Sequence, residues 1–247
     1  MAALAVLVTG HVAVAQVVDF EGRYWFTELE AHVKTSSDAI PGSNIDLTED
    51  LGVEGINAPE GRLTFWPGRN HRIRLAYTRL QFDGDETLAR TITFSGTTFS
   101  ASSRVTTDLD IHYARIGWIW QPLTIPDLLK FGGLVDVKGA VVDASLRTRG
   151  ASPEVKRSAS VPFALPTLGL ALDVTPLPML QLFAEVSGLP AGGLGHVVDA
   201  EAGVRFVPIR FFTLLAGYRI LDIRAEEGGD SAKLRLHGPF VGASLRF

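Results

Sequence analysis

The sequence predicts an all-β protein: a membrane-spanning antiparallel up-and-down β-barrel of about ten strands, with eight strands as the alternative. Apolar and polar residues alternate along strand-length runs, and short proline-containing connectors alternate with longer polar ones. Hydrophobic residues make up 46% of the 247 residues and the mean hydropathy is +0.19. No run in the body of the chain reaches the ~20 apolar residues of a membrane helix. Closed barrels are the other structure that satisfies every backbone group in lipid.

The chain begins with a small, apolar segment over residues 2–15. Within it, Ala13-Val14-Ala15 stands directly before Gln16 and matches the A-x-A pattern of a signal-peptide cleavage site. A basic region before the apolar segment is missing, and a buried N-terminal helix is the alternative. We expect a signal peptide over residues 1–15 and a barrel domain over residues 16–247.

Ten runs between connectors have the length and composition of strands. An even count places both chain termini on the periplasmic side of an outer-membrane barrel. The count falls to eight if the hairpin from Val161 to Ser187 is not formed, because Pro162 and Pro166 are poorly tolerated in a paired strand. The predicted strands are 17–34, 56–66, 71–82, 104–120, 131–147, 160–174, 179–187, 197–207, 210–225 and 232–247.

The connectors fall into two kinds, as expected for a barrel with tight periplasmic turns and longer outer loops. The short kind contains Pro67, Pro122, Pro176 or Pro208. The long, polar kind covers Thr35–Gly55, Asp83–Ser103, Thr148–Ala159, Gly188–Gly195 and Glu226–Ser231.

Each clean strand has one apolar and one polar face, and we expect the apolar face to point outward into lipid. Aromatic residues gather near the short turns, as in an interfacial girdle. This group is Phe65, Trp66, Trp118, Trp120, Phe131, Phe206, Phe211, Phe212 and Phe247. The polar faces carry both charge signs in near balance, which predicts a self-neutralising network in the lumen. Its expected members are Glu21, Arg23, Glu60, Arg62, Arg72, Arg74, Asp136, Lys138, Glu185, Glu201, Arg205 and Arg219.

The last ten residues alternate strictly and end on an aromatic residue. Gly242, Leu245 and Phe247 stand where the terminal strands of Gram-negative outer-membrane barrels carry the signal that the assembly machinery reads. The chain therefore resembles the small outer-membrane barrels, a class that includes OmpA-like, OmpW-like and omptin-type proteins. This resemblance implies residence in the outer membrane of a Gram-negative bacterium. It also implies contact with outer-membrane lipid and lipopolysaccharide, with the barrel-assembly machinery, and with a possible envelope protein partner.

Composition excludes several classes of function. The chain has no cysteine, which removes thiolate catalysis and cysteine-bound zinc. A net charge of −4 without a basic block argues against nucleic-acid binding. No phosphate loop, dinucleotide glycine pattern or metalloprotease motif is present. Glu28, Glu30 and His32 alternate on one strand face, a pattern more typical of a solvated face than of a cation site. We expect no cofactor and no metal.

The sequence offers only weak candidates for catalysis. Omptin-type proteases use acidic residues and an Asp/His pair at the outer rim, and Asp83, Asp85, His196 and Asp199 have these residue types. Their spacing does not reproduce the omptin motifs, and Asp-Gly-Asp is common turn chemistry. We therefore expect no catalytic residue.

A lipid-modifying barrel would need a Ser/His/acid arrangement. Asp110, His112 and Ser187 supply the residue types, but no short motif joins them.

The leading functional hypothesis is a non-enzymatic outer-membrane barrel with a charge-filled lumen. Its outer loops would serve a structural, adhesive or complex-anchoring role. The first alternative is a narrow channel for small or apolar solutes. The others are a hydrolase at the outer rim, either an omptin-like protease or a lipid-modifying enzyme, and a soluble periplasmic barrel.

Overall fold

A computed structural model describes residues 17–34, 43–53, 57–94, 97–149, 156–190, 195–227 and 230–247. The expected signal peptide over residues 1–15 lies outside the described residues. The described segments contain no helix that is long and apolar enough to cross a membrane. The strands are β1 Val17–Phe26, β2 Glu28–Lys34, β3 Ile45–Asp46, β4 Asn57–Gly68, β5 His71–Thr87, β6 Ile92–Phe94, β7 Thr97–Phe99, β8 Arg104–Ile125, β9 Leu129–Thr148, β10 Lys156–Leu177, β11 Leu180–Pro190, β12 Gly195–Ile209, β13 Phe212–Glu227 and β14 Asp230–Arg246.

The strands close into an antiparallel barrel of ten staves, where a stave is one position in the wall that is filled by a single strand or by two successive strands. β1 and β2 together form the first stave, and the sheet order continues β4-β5-β8-β9-β10-β11-β12-β13-β14. Pairing of β14 with β1 closes the cylinder. The predicted fold class and strand number are confirmed. The strands exceed their predicted lengths chiefly at the outer end, where β5 runs to Thr87 and the predicted loop up to Ser103 contains the β6–β7 hairpin.

The register fixes the width of the barrel. Residue pairs followed once around the sheet lead from Val18 to Glu30 on the same stave, a stagger of twelve residues. With ~3.3 Å per residue and ~4.8 Å between strands, this stagger gives a tilt of about 40° and a backbone diameter of roughly 20 Å. Long side chains from opposite walls can therefore meet in the lumen.

The two prolines that made ten strands uncertain lie within β10. Pro162 pairs with Val141 of β9 and Pro166 with Val137. On its other side β10 pairs with β11 only from Leu168 onward. In the described residues the prolines therefore occupy a stretch paired on one side, where a missing amide is tolerated.

Gly238 permits the break between β1 and β2. Its φ of +154° and the close approach of the Phe26 carbonyl oxygen, 1.8 Å from where a Cβ would lie, both require glycine. The Gly238 carbonyl oxygen accepts a hydrogen bond from Trp25 Nε1 at 3.1 Å. β14 can thus pair with β1 on the C-terminal side of Gly238 and with β2 on its N-terminal side.

The polarity of the inner and outer faces of the wall reverses along the strands, as β5 shows. Near the short turns, Ile73, Leu75 and Tyr77 are exposed on the outer face. Toward the long loops the outer face turns polar from Arg79 onward, while Leu80 and the next inward residues are buried and apolar. The lower part of the barrel, near the short turns, therefore has the inside-out pattern of a membrane barrel. The upper part, near the long loops, has the pattern of a soluble barrel. The change between Tyr77 and Arg79 places the outer boundary of the bilayer.

The lower outer face is a belt of exposed apolar side chains that includes most of the predicted aromatic girdle. Trp118, Trp120, Phe206 and Phe211 are all more than two-fifths exposed. Trp66 is an exception to the predicted girdle. It follows the inward parity of Thr64, lines the periplasmic mouth of the lumen, and lies under the Arg246 guanidinium with Cζ 4.8 Å from the ring centroid.

The C-terminal residue sits on the closing seam. Phe247 exchanges two backbone hydrogen bonds with Val18, of 2.8 and 3.0 Å, and its ring meets Phe20 edge to face at 6.1 Å. Of the expected assembly signal, Leu245 is exposed on the lipid side and pairs with Phe20. Gly242 pairs with Arg23.

Deletion of Phe247 should lower the amount of protein in the outer membrane several-fold, because seam contacts and the terminal aromatic are lost together. Membrane fractionation combined with heat-modifiable mobility in detergent measures this amount. Thr98→Ala in the β6–β7 hairpin is the matched control and should leave the amount unchanged. Normal membrane levels of the truncated chain would contradict this role for the terminal residue.

Candidate functional site in the barrel lumen

The lumen contains a compact network of charged side chains. All twelve residues of the expected network lie on the inner face, and four further charged residues join them. The basic members are Arg23, Arg62, Arg72, Arg74, Arg115, Lys138, Arg205 and Arg219. The acidic members are Asp19, Glu21, Glu60, Asp136, Asp173, Glu185, Asp199 and Glu201. The set has eight positive and eight negative groups; Arg246, which pairs with Asp19 at 3.4 Å, lies at the periplasmic mouth and is not counted in it.

Glu201 of β12 is bound by three arginines from three other strands. Arg62 donates hydrogen bonds to both carboxylate oxygens, from Nη1 at 2.7 Å and from Nη2 at 2.5 Å. Arg23 Nη1 donates to the same carboxylate at 3.2 Å and Arg115 Nη2 at 3.5 Å. In the sheet, β13, β14 and β1 separate β12 from β4, so the Arg62–Glu201 pair crosses the lumen. Such two-pronged, charge-assisted bonds are among the strongest that side chains form.

Asp199 lies two residues from Glu201 on β12, toward the outer loops, and is a second carboxylate on which several donors converge. Arg219 donates to its two oxygens from Nε at 3.0 Å and Nη2 at 2.9 Å. Arg115 Nη1 and the Tyr113 hydroxyl each donate at 3.2 Å. Asp199 is therefore part of the lumen network and not of an outer-rim site.

Two smaller groups complete the network. Arg74 and Glu185 form a second cross-lumen pair, with Nη1 and Nη2 at 2.5 and 2.8 Å from the carboxylate. Lys138 Nζ donates to Asp136 at 2.6 Å and to the Ser187 hydroxyl at 2.7 Å. The lumen charges are thus held by hydrogen bonds as well as by charge, which offsets the cost of burying them.

Aromatic rings support the arginines. Arg205 lies over the Phe183 ring at 3.9 Å, and Arg23 over the Phe240 ring at 4.4 Å. Two glycines make space for these rings. A Cβ on Gly203 would lie 2.9 Å from Phe183, and one on Gly217 would lie 2.6 Å from Phe240. Cation–π contact of this kind stabilises a guanidinium away from water.

Above the charged layer the lumen is apolar. Inward residues of the upper barrel pack with residues of the first two outer loops in one hydrophobic cluster. The wall contributes Leu29, Leu80, Phe82, Leu109, Ile111, Leu221 and Leu236. The loops contribute Ile45, Leu47, Leu51, Val53, Leu88, Ile92, Phe94 and Phe99. A charged layer and an apolar layer therefore follow one another across the lumen.

An ion pair joins the two loops over the mouth of the barrel. Arg90 donates to Asp50 from Nε at 3.1 Å and from Nη2 at 2.5 Å, and also to the Asn44 carbonyl oxygen at 2.6 Å. Partial burial favours the neutral form of Asp50, but the Arg90 hydrogen bonds and the Asp46 amide outweigh it and lower the pKa of Asp50. The carboxylate stays charged and fastens one loop to the other.

The weak protease candidates are not brought together. Asp83 and Asp85 lie exposed on the outer face of β5, and Asp85 accepts hydrogen bonds from Arg104 and Arg149, each at 2.7 Å. His196 lies on β12, five strands away around a barrel of ten, and pairs with Asp222 at 3.2 Å. These candidates stand on opposite sides of the barrel, and Asp199 is inside it.

The lipid-modifying candidates are brought together only in part, because His112 Nε2 lies 3.7 Å from Asp110 but Ser187 is on the opposite face of the wall. His112 lies on the outer face against the Tyr77 hydroxyl at 2.8 Å, whereas Ser187 lies inside beside Lys138. Within the described ranges, no group of three or more His, Asp or Glu side chains is arranged to hold a metal ion.

Sequence reasoning missed three members of the lumen network, which are Asp19, Arg115 and Asp173. Arg115 binds both Glu201 and Asp199, and Asp173 binds Arg205 at 2.8 Å and Arg72 at 2.9 Å. Strand parity was the available signal, since Trp118 and Trp120 face outward on β8 and the odd-numbered Arg115 must face inward.

The fold and its exterior define the class: the protein is an outer-membrane β-barrel of the Gram-negative type, inside-out across the bilayer and closed so that no strand edge meets lipid.

Comparison with solved structures agrees with this class at the level of fold. The outer membrane protease OmpT from Escherichia coli has a TM-score of 0.64 at 7% identity, with 94% of this chain and 97% of that chain covered. The translocator domain of the autotransporter NalP from Neisseria meningitidis has a TM-score of 0.51 at 10% identity, with 94% and 88% covered. No protein-family model and no curated protein matches the sequence.

Replacing Glu201 by Gln should destabilise the barrel by about 3–5 kcal/mol, because three buried arginines then share too little negative charge. The free energy of unfolding by urea in phospholipid vesicles measures the loss. The control is Glu30→Gln, which removes a half-exposed carboxylate 3.6 Å from Arg235. The control should cost no more than about 1 kcal/mol. Equal losses for the two variants would refute the network.

Proposed function

We propose that the protein is a closed, non-conducting outer-membrane barrel that displays its outer wall and loops as a structural, adhesive or complex-anchoring platform. The observation that supports the proposal is that two successive layers of side chains fill the lumen. A charge-neutral layer of cross-lumen ion pairs is followed by an apolar layer that includes the loops. Neither layer suits a path for ions or water.

The cavity at the periplasmic mouth supports closure. It measures about 240 Å³, and its lining reaches the charged network at Glu21, Arg72 and Arg74. A solute entering from this side would have to separate Arg74 from Glu185 and Arg62 from Glu201 to move further. Separating buried ion pairs leaves uncompensated charges and costs several kcal/mol. This cost argues against the narrow channel.

The outer wall is built to hold a fixed surface above the bilayer. On β8 the polar outer face runs from Arg104 to His112, roughly 20 Å along the barrel axis. Ion pairs join neighbouring strands there, including Arg79–Asp110 at 2.5 Å and Arg104–Asp85 at 2.7 Å. A paired wall with an apolar interior keeps the loops in defined positions, as a docking surface requires.

The rim-hydrolase alternatives have less support. Acid–base catalysis needs its groups within hydrogen-bond reach of one substrate. Asp85 and His196 are on opposite sides of the barrel, and each is paired with another residue.

The purified barrel should show no stepwise conductance in planar bilayers, because both layers block the lumen. Incorporation is verified by heat-modifiable mobility, and a general porin under the same conditions is the positive control. A variant in which residues 88–103 are replaced by a short turn should also be silent, since the charged layer remains. Discrete conductance steps from the unaltered protein would support the channel instead.

The same loop variant tests the platform. Cells that carry it should lose attachment to surfaces, or resistance of the envelope to detergent, while the folded barrel stays at its normal level. If the loop replacement leaves both properties unchanged, the loop over residues 88–103 does not carry the function.

A further inference from the structure

The periplasmic mouth of the lumen forms a polar vestibule that the proposed platform role does not use. It lies at the short-turn end, between Trp66 on one wall and Pro178 on another, and holds about 240 Å³. Its inner end is closed by the charged network, and the apolar layer lies beyond. The vestibule is therefore a blind pocket that opens toward the periplasm.

The lining of the vestibule has more basic than acidic residues, because Arg69, Lys130 and Arg246 are added there to six members of the balanced network. Its basic residues are Arg69, Arg72, Arg74, Lys130, Arg205 and Arg246. Its acidic residues are Asp19, Glu21 and Asp173. Six positive groups thus face three negative ones in the lining, although Arg74 is also paired with Glu185, which is not part of the lining. A concave site lined by one sign of charge concentrates ions of the opposite sign.

The existing ion pairs leave part of this charge unsatisfied. Asp173 serves both Arg205, at 2.8 Å, and Arg72, at 2.9 Å, and also accepts a hydrogen bond from Gln121. Arg69 and Lys130 are largely open to solvent at the mouth, and neither has an ion-pair partner within the described segments.

Arg72 has two side-chain N–H donors that lack hydrogen-bond partners. Its residue is 8% exposed, and neither Nε nor Nη2 has a hydrogen bond of good geometry to any described residue. Nη2 does lie 2.9 Å from an Asp173 oxygen and 3.9 Å from a Glu185 oxygen, so the charge of Arg72 is balanced in part. Neither nitrogen is exposed to solvent, and neither N–H group has a hydrogen bond of good geometry. Nε and Nη2 form the side-on fork of a guanidinium, which suits two oxygens of a carboxylate or phosphate. A buried unmatched donor is costly, and a bound anion relieves that cost.

We propose that the vestibule is a periplasmic binding site for a small multivalent anion that presents phosphate or carboxylate oxygens. To bind the anion, Arg72 turns the side-on fork of its guanidinium away from Asp173 and into the vestibule, while Arg69 and Lys130 attract the anion at the mouth. The volume suits a molecule smaller than typical drug-sized ligands. The blind end means that the anion is held at the periplasmic face and is not transported.

Calorimetric titration of the folded barrel in detergent, at low salt, tests the site. The probes are inorganic diphosphate and citrate, which separate phosphate from carboxylate chemistry, with sucrose as the uncharged control. At least one anion should bind with one-to-one stoichiometry, and Arg72→Gln should weaken that binding about tenfold or more. The matched control Arg104→Gln removes an ion-paired arginine at the outer rim and should bind as the unaltered protein does.

Arg69→Gln combined with Lys130→Gln provides a second variant that leaves the buried network intact. It should weaken binding and flatten its dependence on salt, because long-range attraction between charges is screened. Absence of binding to the unaltered protein, or equal binding by the Arg72→Gln, Arg104→Gln and double variants, would overturn the proposal. If Arg72→Gln does not show heat-modifiable mobility, the double variant alone decides.

Discussion

Mutual neutralisation of charge across the lumen is the constraint on which the structure depends. A barrel of ten strands with a stagger of twelve is wide enough to need filling and narrow enough for arginine and glutamate to meet from opposite walls. Each charged group alone would be costly in this position, yet together they fix the distance between walls that are not neighbours in the sheet. The same pairs that fill the lumen also link its opposite walls, so the filling of the lumen and the stability of the barrel have one cause.

The reversal of polarity along each strand explains how one barrel serves two environments. In lipid, water cannot solvate an exposed charge, so the charged face turns inward and the apolar face outward. Above Tyr77 and its neighbours, water is present outside, and the ordinary arrangement with an apolar interior becomes favourable. The loops can then be packed down on the upper interior by Leu51, Phe94 and similar residues. An apolar outer face in lipid and a polar outer face above it are thereby combined in one barrel.

Much of the fold could be predicted from the sequence, because strand alternation, turn chemistry and the aromatic ending are local signals. The ten strands follow from the runs between connectors, with eight as the alternative, and the inward face of residues such as Arg62 follows from parity. The partners of these residues do not, since Arg62 and Glu201 are 139 residues apart and meet only through the stagger of the closed sheet. The apolar upper lumen was missed for a related reason: Leu80 and Phe82 lie on the same face as Arg72 and Arg74, and only the height of the bilayer separates their roles.

The central claim concerns coupling across the lumen, and a double-mutant cycle on Arg74 and Glu185 tests it most directly. This pair has two hydrogen bonds and few other partners. Urea unfolding in vesicles would be compared for Arg74→Met, Glu185→Gln and the double variant. The predicted result is a double variant less destabilised than the sum of the single ones, with a coupling energy on the order of 1–3 kcal/mol. Additive losses, with no coupling, would contradict the claim that cross-lumen pairing holds the barrel closed.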